Sequence, residues 1–263
     1  MNKSRVFAIF LEHFLRLIHE FTEIVETFYW AIMDVVIWGF MTAYISKLGQ
    51  GGELVVSLML GGLILWTIAW RTQQDISLSM MRDIWNKNLI SLFSTPLTPW
   101  EFMVGSIILG TFKIFLTIGV ASLVAFVFYK FNILTMGIYF IPFVFNLLLF
   151  GWNVALFVNS LIIRFGTKIE NFAWGFIILL QPLAAVYYPV SSLPGFLQVI
   201  SKLVPASHVF EGMRQVYYGG AVSSEHLIWA TALNIFYIFV NVLFFNFMFQ
   251  KARELGKIVR LEE

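Results

Sequence analysis

Six stretches of this sequence, roughly 28–46, 54–75, 102–128, 138–162, 170–188 and 227–249, are each long and apolar enough to cross a bilayer. Lipid offers no hydrogen-bonding partner to a bare backbone, so such stretches are read as helices that satisfy their own N–H and C=O groups. The expected fold class is therefore an all-α membrane protein with six transmembrane helices in a single domain, 1–263. Composition agrees: 59% of residues are apolar and 12% charged, where a soluble domain carries about 25% charged residues. A chain without cysteine has no disulfide, thiolate metal site or covalent haem attachment. The N-terminus lacks the short apolar core and small-residue cleavage site of a removed signal peptide.

The basic residues follow the spans in alternation. Lys3, Arg5 and Arg16 precede the first span; Arg71, Arg82 and Lys87 follow the second. Arg164 and Lys168 follow the fourth, and Lys251, Arg253, Lys257 and Arg260 the sixth. The opposite connections hold only Lys47, Lys130, Lys202 and Arg214. The positive-inside rule then predicts a multi-pass protein of the cytoplasmic (inner) membrane with both termini in the cytoplasm. The net charge of +2 reflects this topology and implies no nucleic-acid partner.

Three non-spanning segments stand out. Residues 4–26 read as an amphipathic helix lying in the membrane interface, with Arg5, Glu12, Arg16, His19, Glu23 and Glu26 on one face. Phe7, Phe10, Phe14, Leu17, Phe21 and Ile24 line the other; the helix is either a plain anchor or a lever packed on the bundle. Between spans 2 and 3, residues 81–96 read as a short helix with Ile84, Asn88, Leu89 and Leu92 aligned, stopped by Pro96 and Pro99. It suits a partner's groove or a rest on the membrane surface. Between spans 5 and 6, residues 189–220 remain apolar but are cut by Pro189, Pro194 and Pro205 into pieces too short to span. They read as a re-entrant helical pair.

Catalytic constellations are missing. His13, His19, His208 and His226 are scattered, with no H-x-x-x-H, which argues against a metal site. Gly105 to Gly110 followed by Thr111 lacks the Lys-Ser/Thr of a phosphate-binding loop, and its small residues suit close helix approach. Asp34 and Lys113 fall inside spans, where ionisable groups are costly; they form an internal salt bridge, snorkel to the interface or contact substrate. Asn146 and Asn153 in the fourth span, and Asn234 and Asn241 in the sixth, are spaced for interhelical hydrogen bonds. Trp38, Trp66 and Trp70 either line a path or anchor helix ends. Pro182 is expected to kink the fifth span.

The run Asn88-Leu89-Ile90-Ser91-Leu92-Phe93-Ser94-Thr95-Pro96-Leu97-Thr98-Pro99 resembles the coupling helix of type 2 ATP-binding-cassette permeases. Leu193-Pro194, the Pro-x-x-x-x-x-Glu-x-x-Arg element from Pro205 to Arg214, and Gly219-Gly220 resemble that family's outer re-entrant pair. Lys87-Asn88 departs from the Gly-Thr common there. The resemblance implies a permease, not an enzyme, that pairs with a second copy or a paralogue. Each permease would bind a separate cytoplasmic ATPase that carries the ATP and Mg; this chain would hold no cofactor. Asp83, Asn88, Leu89, Leu92, Phe93, Thr95 and Pro96 would couple to that ATPase, and Pro189, Leu193, Pro194, Pro205, Glu211 and Arg214 would form an extracellular gate. Asp34, Trp38, Trp66 and Pro182 would border the path of an amphipathic, lipid or lipid-linked glycan substrate, exported across the membrane. The alternative class is an ion- or proton-coupled carrier using Asp34 and Lys113.

Overall fold

A computed structural model describes residues 2–48, 52–86 and 95–254. Nine α-helices are described: α1 (Lys3–His19), α2 (Phe21–Leu48), α3 (Gly52–Trp85), α4 (Pro99–Tyr129), α5 (Phe140–Phe165), α6 (Glu170–Ala184), α7 (Gly195–Lys202), α8 (Pro205–Tyr217) and α9 (Ser224–Glu254). Among the described residues, five are long and apolar enough to cross a membrane: α2, α3, α4, α5 and α9. The expected fifth span, 170–188, is instead the 15-residue α6, about 22 Å long and short of the ~30 Å hydrocarbon layer. Pro182 lies in the last turn of α6, where Ala185 adopts a left-handed backbone (φ 53°) and donates its N–H to the Pro182 carbonyl. The helix closes there, short of the 170–188 that periodicity alone would give.

The helix α3 is the axis of the bundle, packed against α2, α4, α5, α6 and α8. Leu60, Ile64, Leu65, Ile68, Ala69, Ile76, Met80 and Met81 are buried along its length. Lipid tails are as apolar as leucine, so these contacts stabilise through close packing more than through transfer out of water. Close packing needs missing side chains. A Cβ on Gly151 of α5 would sit 2.7 Å from Thr72 Cβ and 2.9 Å from the Ala69 carbonyl oxygen of α3. The α5–α9 seam is held differently, by an asparagine ladder. Asn234 Nδ2 donates to the Asn146 carbonyl (3.0 Å), Asn153 Nδ2 to the Asn234 carbonyl (3.1 Å) and Asn241 Nδ2 to the Asn153 carbonyl (3.1 Å). The four asparagines form the interhelical bonds that their seven-residue spacing foretells.

Two boundaries differ from the sequence reading. The interface helix expected over 4–26 stops at His19, because Glu20 takes an extended backbone (φ −100°, ψ 111°) and residues from Phe21 onward belong to α2. Its packed side is Val6, Ile9, His13 and Leu17, while Phe7 is exposed. Gly105 of α4 makes room for it: a Cβ there would lie 2.7 Å from Ile9 Cγ2. The segment expected as a separate helix from 81 begins inside α3, which runs unbroken to Trp85. At 34 residues α3 is about 51 Å long, well over a bilayer core.

Candidate functional site

Where α1, α2, α3 and α4 meet, the chain gathers charges that membrane-buried helices seldom tolerate alone. Lys113 of α4 is nearly fully buried, and its Nζ lies 3.1 Å from Asp75 Oδ1 of α3 and 3.4 Å from Glu23 Oε2 of α2. Arg82 of α3 reaches Glu23 at 2.6 Å and Glu26 at 3.2 Å, and Arg71 stands 4.0 Å from Asp75. Three carboxylates thus meet three cations, so the cluster is internally neutral. That balance is what permits burial: a lone charge would cost several kcal/mol, and a balanced, hydrogen-bonded set offsets it.

A second group continues the first along α1. Asp83, wholly buried, takes Arg16 Nη2 at 3.2 Å, and His13 Nε2 lies 3.4 Å away. Arg16 also pairs with Glu12 at 3.1 Å. A polar cavity of about 20 Å³ joins the groups between His13, Arg16, Asp75, Arg82, Ser106 and Lys113. Glu12, His13 and Asp83 offer metal-ligand atoms within 4.8 Å of one another. The Arg16 guanidinium already spans both carboxylates, so this cluster has its cation. Glu101 completes the arrangement: it caps α4 with Thr98, accepts the Asn2 N–H at 2.6 Å and faces Arg5 at 3.6 Å. The first turn of α1 is thereby tied to the first turn of α4.

The sequence-derived candidates distribute unevenly around this network. Lys113 reaches Glu23 and Asp75 rather than Asp34, so the pair expected between spans 1 and 3 does not form. The counter-ion of an intramembrane lysine is set by which helices adjoin, and sequence distance says nothing of that. Asp34 is half-buried, in the field of Arg71. Asp83, expected among the coupling residues, faces inward to α1, where Arg16 and His13 approach it. Asn88, Leu89, Leu92 and Phe93 lie outside the described residues; Thr95 is exposed, as is Pro96, whose carbonyl accepts from Arg5. Trp38 stacks on Tyr187 (centroids 5.4 Å apart) along the open side of α2. Trp66 is buried against Phe210 and meets no such face. Glu23, Asp75, Arg82 and Arg16 were not singled out as a set by sequence. The available signal was that acidic residues at span edges demand partners.

At the other end of α3, the segment expected as a re-entrant pair comprises the two short helices α7 and α8. Glu211 and Arg214 sit one turn apart on α8, with Arg214 Nη2 3.1 Å from Glu211 Oε1. Arg214 is 6% exposed, not on a solvated face, and donates to the carbonyls of Ala185 (2.8 Å) and Val186 (3.4 Å). Glu211 accepts the Val190 N–H at 2.7 Å. The pair thus stitches the chain leaving α6 onto α8, and Pro189 falls inside the stitch. Pro205 starts α8, where a missing N–H costs nothing. Pro194 precedes α7 in the same way, and Leu193 takes extended backbone between the turn at 190–192 and α7.

A protein-family model described as ABC-2 type transporter matches residues 13–218, which takes in every helix from α2 to α8. No curated protein matches the chain.

Proposed function

The chain belongs to the ABC-2 type transporter family, and on that premise we propose that it is the membrane subunit of an ATP-driven exporter. It is a permease; membrane domains of this family lack ATPase activity and work with ABC ATPase subunits. The family match over 13–218 carries the reading. The charge network supports a route for the coupling. In this proposal the ATPase docks on residues 81–96 through Asn88, Leu89, Leu92 and Phe93, with Thr95 and Pro96 closing the segment. Movement there reaches Arg82 and Asp83 at the end of α3, through their ion pairs reaches α2 and α1, and through Glu23 and Lys113 reaches α4.

The remaining assignments belong to the same proposal. Both termini lie in the cytoplasm, α6 and the residues after it complete a sixth crossing, and α7 with α8 dip into the membrane as an outer gate. Pro189, Leu193, Pro194 and Pro205 shape that gate, and the Glu211–Arg214 stitch holds it closed. A second copy or a paralogue covers the exposed aromatic side of α2. The seam carries an amphipathic, lipid or lipid-linked glycan substrate past Asp34 and Trp38, with Trp66 and Pro182 setting the wall behind. The aromatic side supports this: Tyr29, Trp30, Trp38, Phe40 and Tyr44 are all exposed on α2. The alternative, an ion-coupled carrier using Asp34 and Lys113, is set aside in favour of the family match.

The test is copurification from native membranes in mild detergent, followed by ATPase assay of the complex. Leu92→Asp is expected to abolish association or ATP-driven transport at wild-type expression and melting temperature. Wild-type association and transport in that variant would reject the docking segment.

A further inference from the structure

Halfway along α9, the asparagine ladder ends beside a cavity. It measures about 210 Å³, lies between α5, α6 and α9, and is capped by Leu203, Val204 and Pro205 where α7 gives way to α8. Helices α6 and α9 both pack on α5 and scarcely on each other, which leaves the gap. Phe157 of α5 stands between Phe176 of α6 and Phe244 of α9, with ring centroids 5.1 and 5.5 Å away, and closes one end. Tyr237 and Asn241, one turn apart on α9, form the polar part of the wall together with Asn153. They flank the midpoint of a 31-residue helix, about 46 Å long, so the cavity lies at bilayer depth.

The hydrogen-bonding groups of that wall are one-sided. Asn241 Nδ2 donates to the Asn153 carbonyl at 3.1 Å. A carbonyl can only accept, so the amide nitrogen faces α5 and Oδ1 turns the other way. No described residue donates to that oxygen. Tyr237 engages its hydroxyl hydrogen on the Leu203 carbonyl at 2.9 Å and keeps a lone pair. Asn153 Nδ2 is taken by the Asn234 carbonyl, and the N–H groups of Leu203 and Val204 by the carbonyls of Ile200 and Ser201. Pro205 has no N–H to offer. The remaining lining residues are apolar, and no described residue of the lining is charged. Acceptors are therefore left over and donors are not. An unpaired acceptor at this depth is costly, because lipid tails cannot satisfy it.

We propose that this cavity binds an uncharged, membrane-soluble alcohol, whose hydroxyl donates to Asn241 Oδ1 while its apolar body lies against Phe150, Phe176 and Leu180. The class of ligand follows from the wall. A carboxylate or phosphate needs donors, and these are engaged. An ammonium would be a charge at bilayer depth without a counter-ion. A plain hydrocarbon would leave the amide oxygen unpaired. The volume is below the roughly 300–1,000 Å³ of pockets that enclose a drug-sized ligand. It therefore takes a small alcohol, or the hydroxyl end of a longer one that enters from the lipid between α6 and α9. Bound there, the ligand joins α6 to the α5–α9 pair. The inference rests on the membrane-spanning helices and not on the exporter reading.

The experiment uses full-length protein in lipid nanodiscs and a medium-chain primary alcohol that carries a diazirine on its chain. After irradiation, labelled residues are read by mass spectrometry. Saturable labelling within 150–157, 176–180 and 237–241 is expected, displaced by excess octanol and not by octyl methyl ether, which has no hydrogen to donate. Asn241→Leu should weaken the apparent affinity about fivefold, the usual contribution of one neutral hydrogen bond. Leu180→Trp fills the cavity from α6, leaves the ladder intact and should abolish the saturable label. Melting without alcohol reports the folding of each variant. The ether comparison needs no variant, so it decides the hydroxyl contact even if Asn241→Leu loosens the α5–α9 seam. Labelling that never saturates, or that spreads over the lipid-facing helices, would reduce the effect to alcohol dissolved in the bilayer and overturn the site. Equal displacement by the ether, or unchanged affinity in Asn241→Leu, would overturn the hydroxyl contact. Unchanged labelling in a folded Leu180→Trp would overturn the cavity.

Discussion

Replacing Lys113 with methionine tests whether the charge network is a structural unit. Methionine keeps the length and apolar stem of lysine and removes only the charge. The loss strands two carboxylates unequally. Glu23 retains Arg82 at 2.6 Å, whereas Asp75 retains only Arg71 at 4.0 Å. Breaking a buried ion pair by removing one partner costs about 3–5 kcal/mol. With Glu23 still paired, the lower end applies, about 3 kcal/mol, or a melting temperature lower by roughly 6–12 °C for a chain of this size. Adding Asp75→Asn to Lys113→Met removes one charge of each sign and leaves Glu23 and Glu26 facing Arg71 and Arg82. The double variant should therefore be more stable than the sum of the single losses implies, by about 1–3 kcal/mol of coupling. Thermal unfolding in one detergent, over the full double-mutant cycle, measures this. Strict additivity, or a Lys113→Met variant within about 1 kcal/mol of wild type, would refute the reasoning.

Three further outcomes are expected. Arg214→Ala leaves the Ala185 and Val186 carbonyls without their donor and Glu211 without its cation; faster hydrogen exchange confined to 185–204 is expected, with α3 unaffected. Gly151→Ala sets helix propensity against packing: propensity alone would stabilise by about 1 kcal/mol, but the 2.7 Å approach to Thr72 Cβ calls for a lower melting temperature, by overpacking of about 1–3 kcal/mol. Burial, aided by the neighbouring His226, holds His208 below its usual value. Stability should be full above the ordinary histidine value of about 6.5 and should fall as pH drops through it toward the folded value. The slope is at most about 1.4 kcal/mol per pH unit and should flatten in His208→Gln, with Glu211, Glu225 and Lys202 unchanged as background.

Run length made the long helices legible, because a spanning helix needs nothing but some twenty apolar residues. Breaks inside a good pattern were not legible. The alternation of charged and apolar residues runs straight through Glu20, and the extended backbone there follows from α1 turning to pack on Gly105, a tertiary cause. The stretch 170–188 closes early, at a left-handed Ala185, a backbone conformation that an alanine in an apolar run does not announce. Asp34 and Lys113 stand out because both interrupt apolar runs. The partners that lysine takes, Glu23 and Asp75, lie at the edges of those runs, which sequence reads as ordinary solvated positions. The Glu211–Arg214 spacing was legible as a pair, yet its meaning came from the carbonyls of residues 185 and 186. His208 and His226 passed as scattered because a loop, and not a helical period, brings them together.

The asparagine ladder between α5 and α9 has a mechanical consequence. Each rung bonds a side chain to the backbone of the facing helix, and the asparagines that carry the rungs repeat every two turns on each helix. Sliding α9 by one turn, about 5.4 Å, would break every rung together with none to replace it. The two helices are thus locked in register and behave as a stator. Relative helix motion is then left to other seams, such as the close contact of α3 with Gly151 on α5.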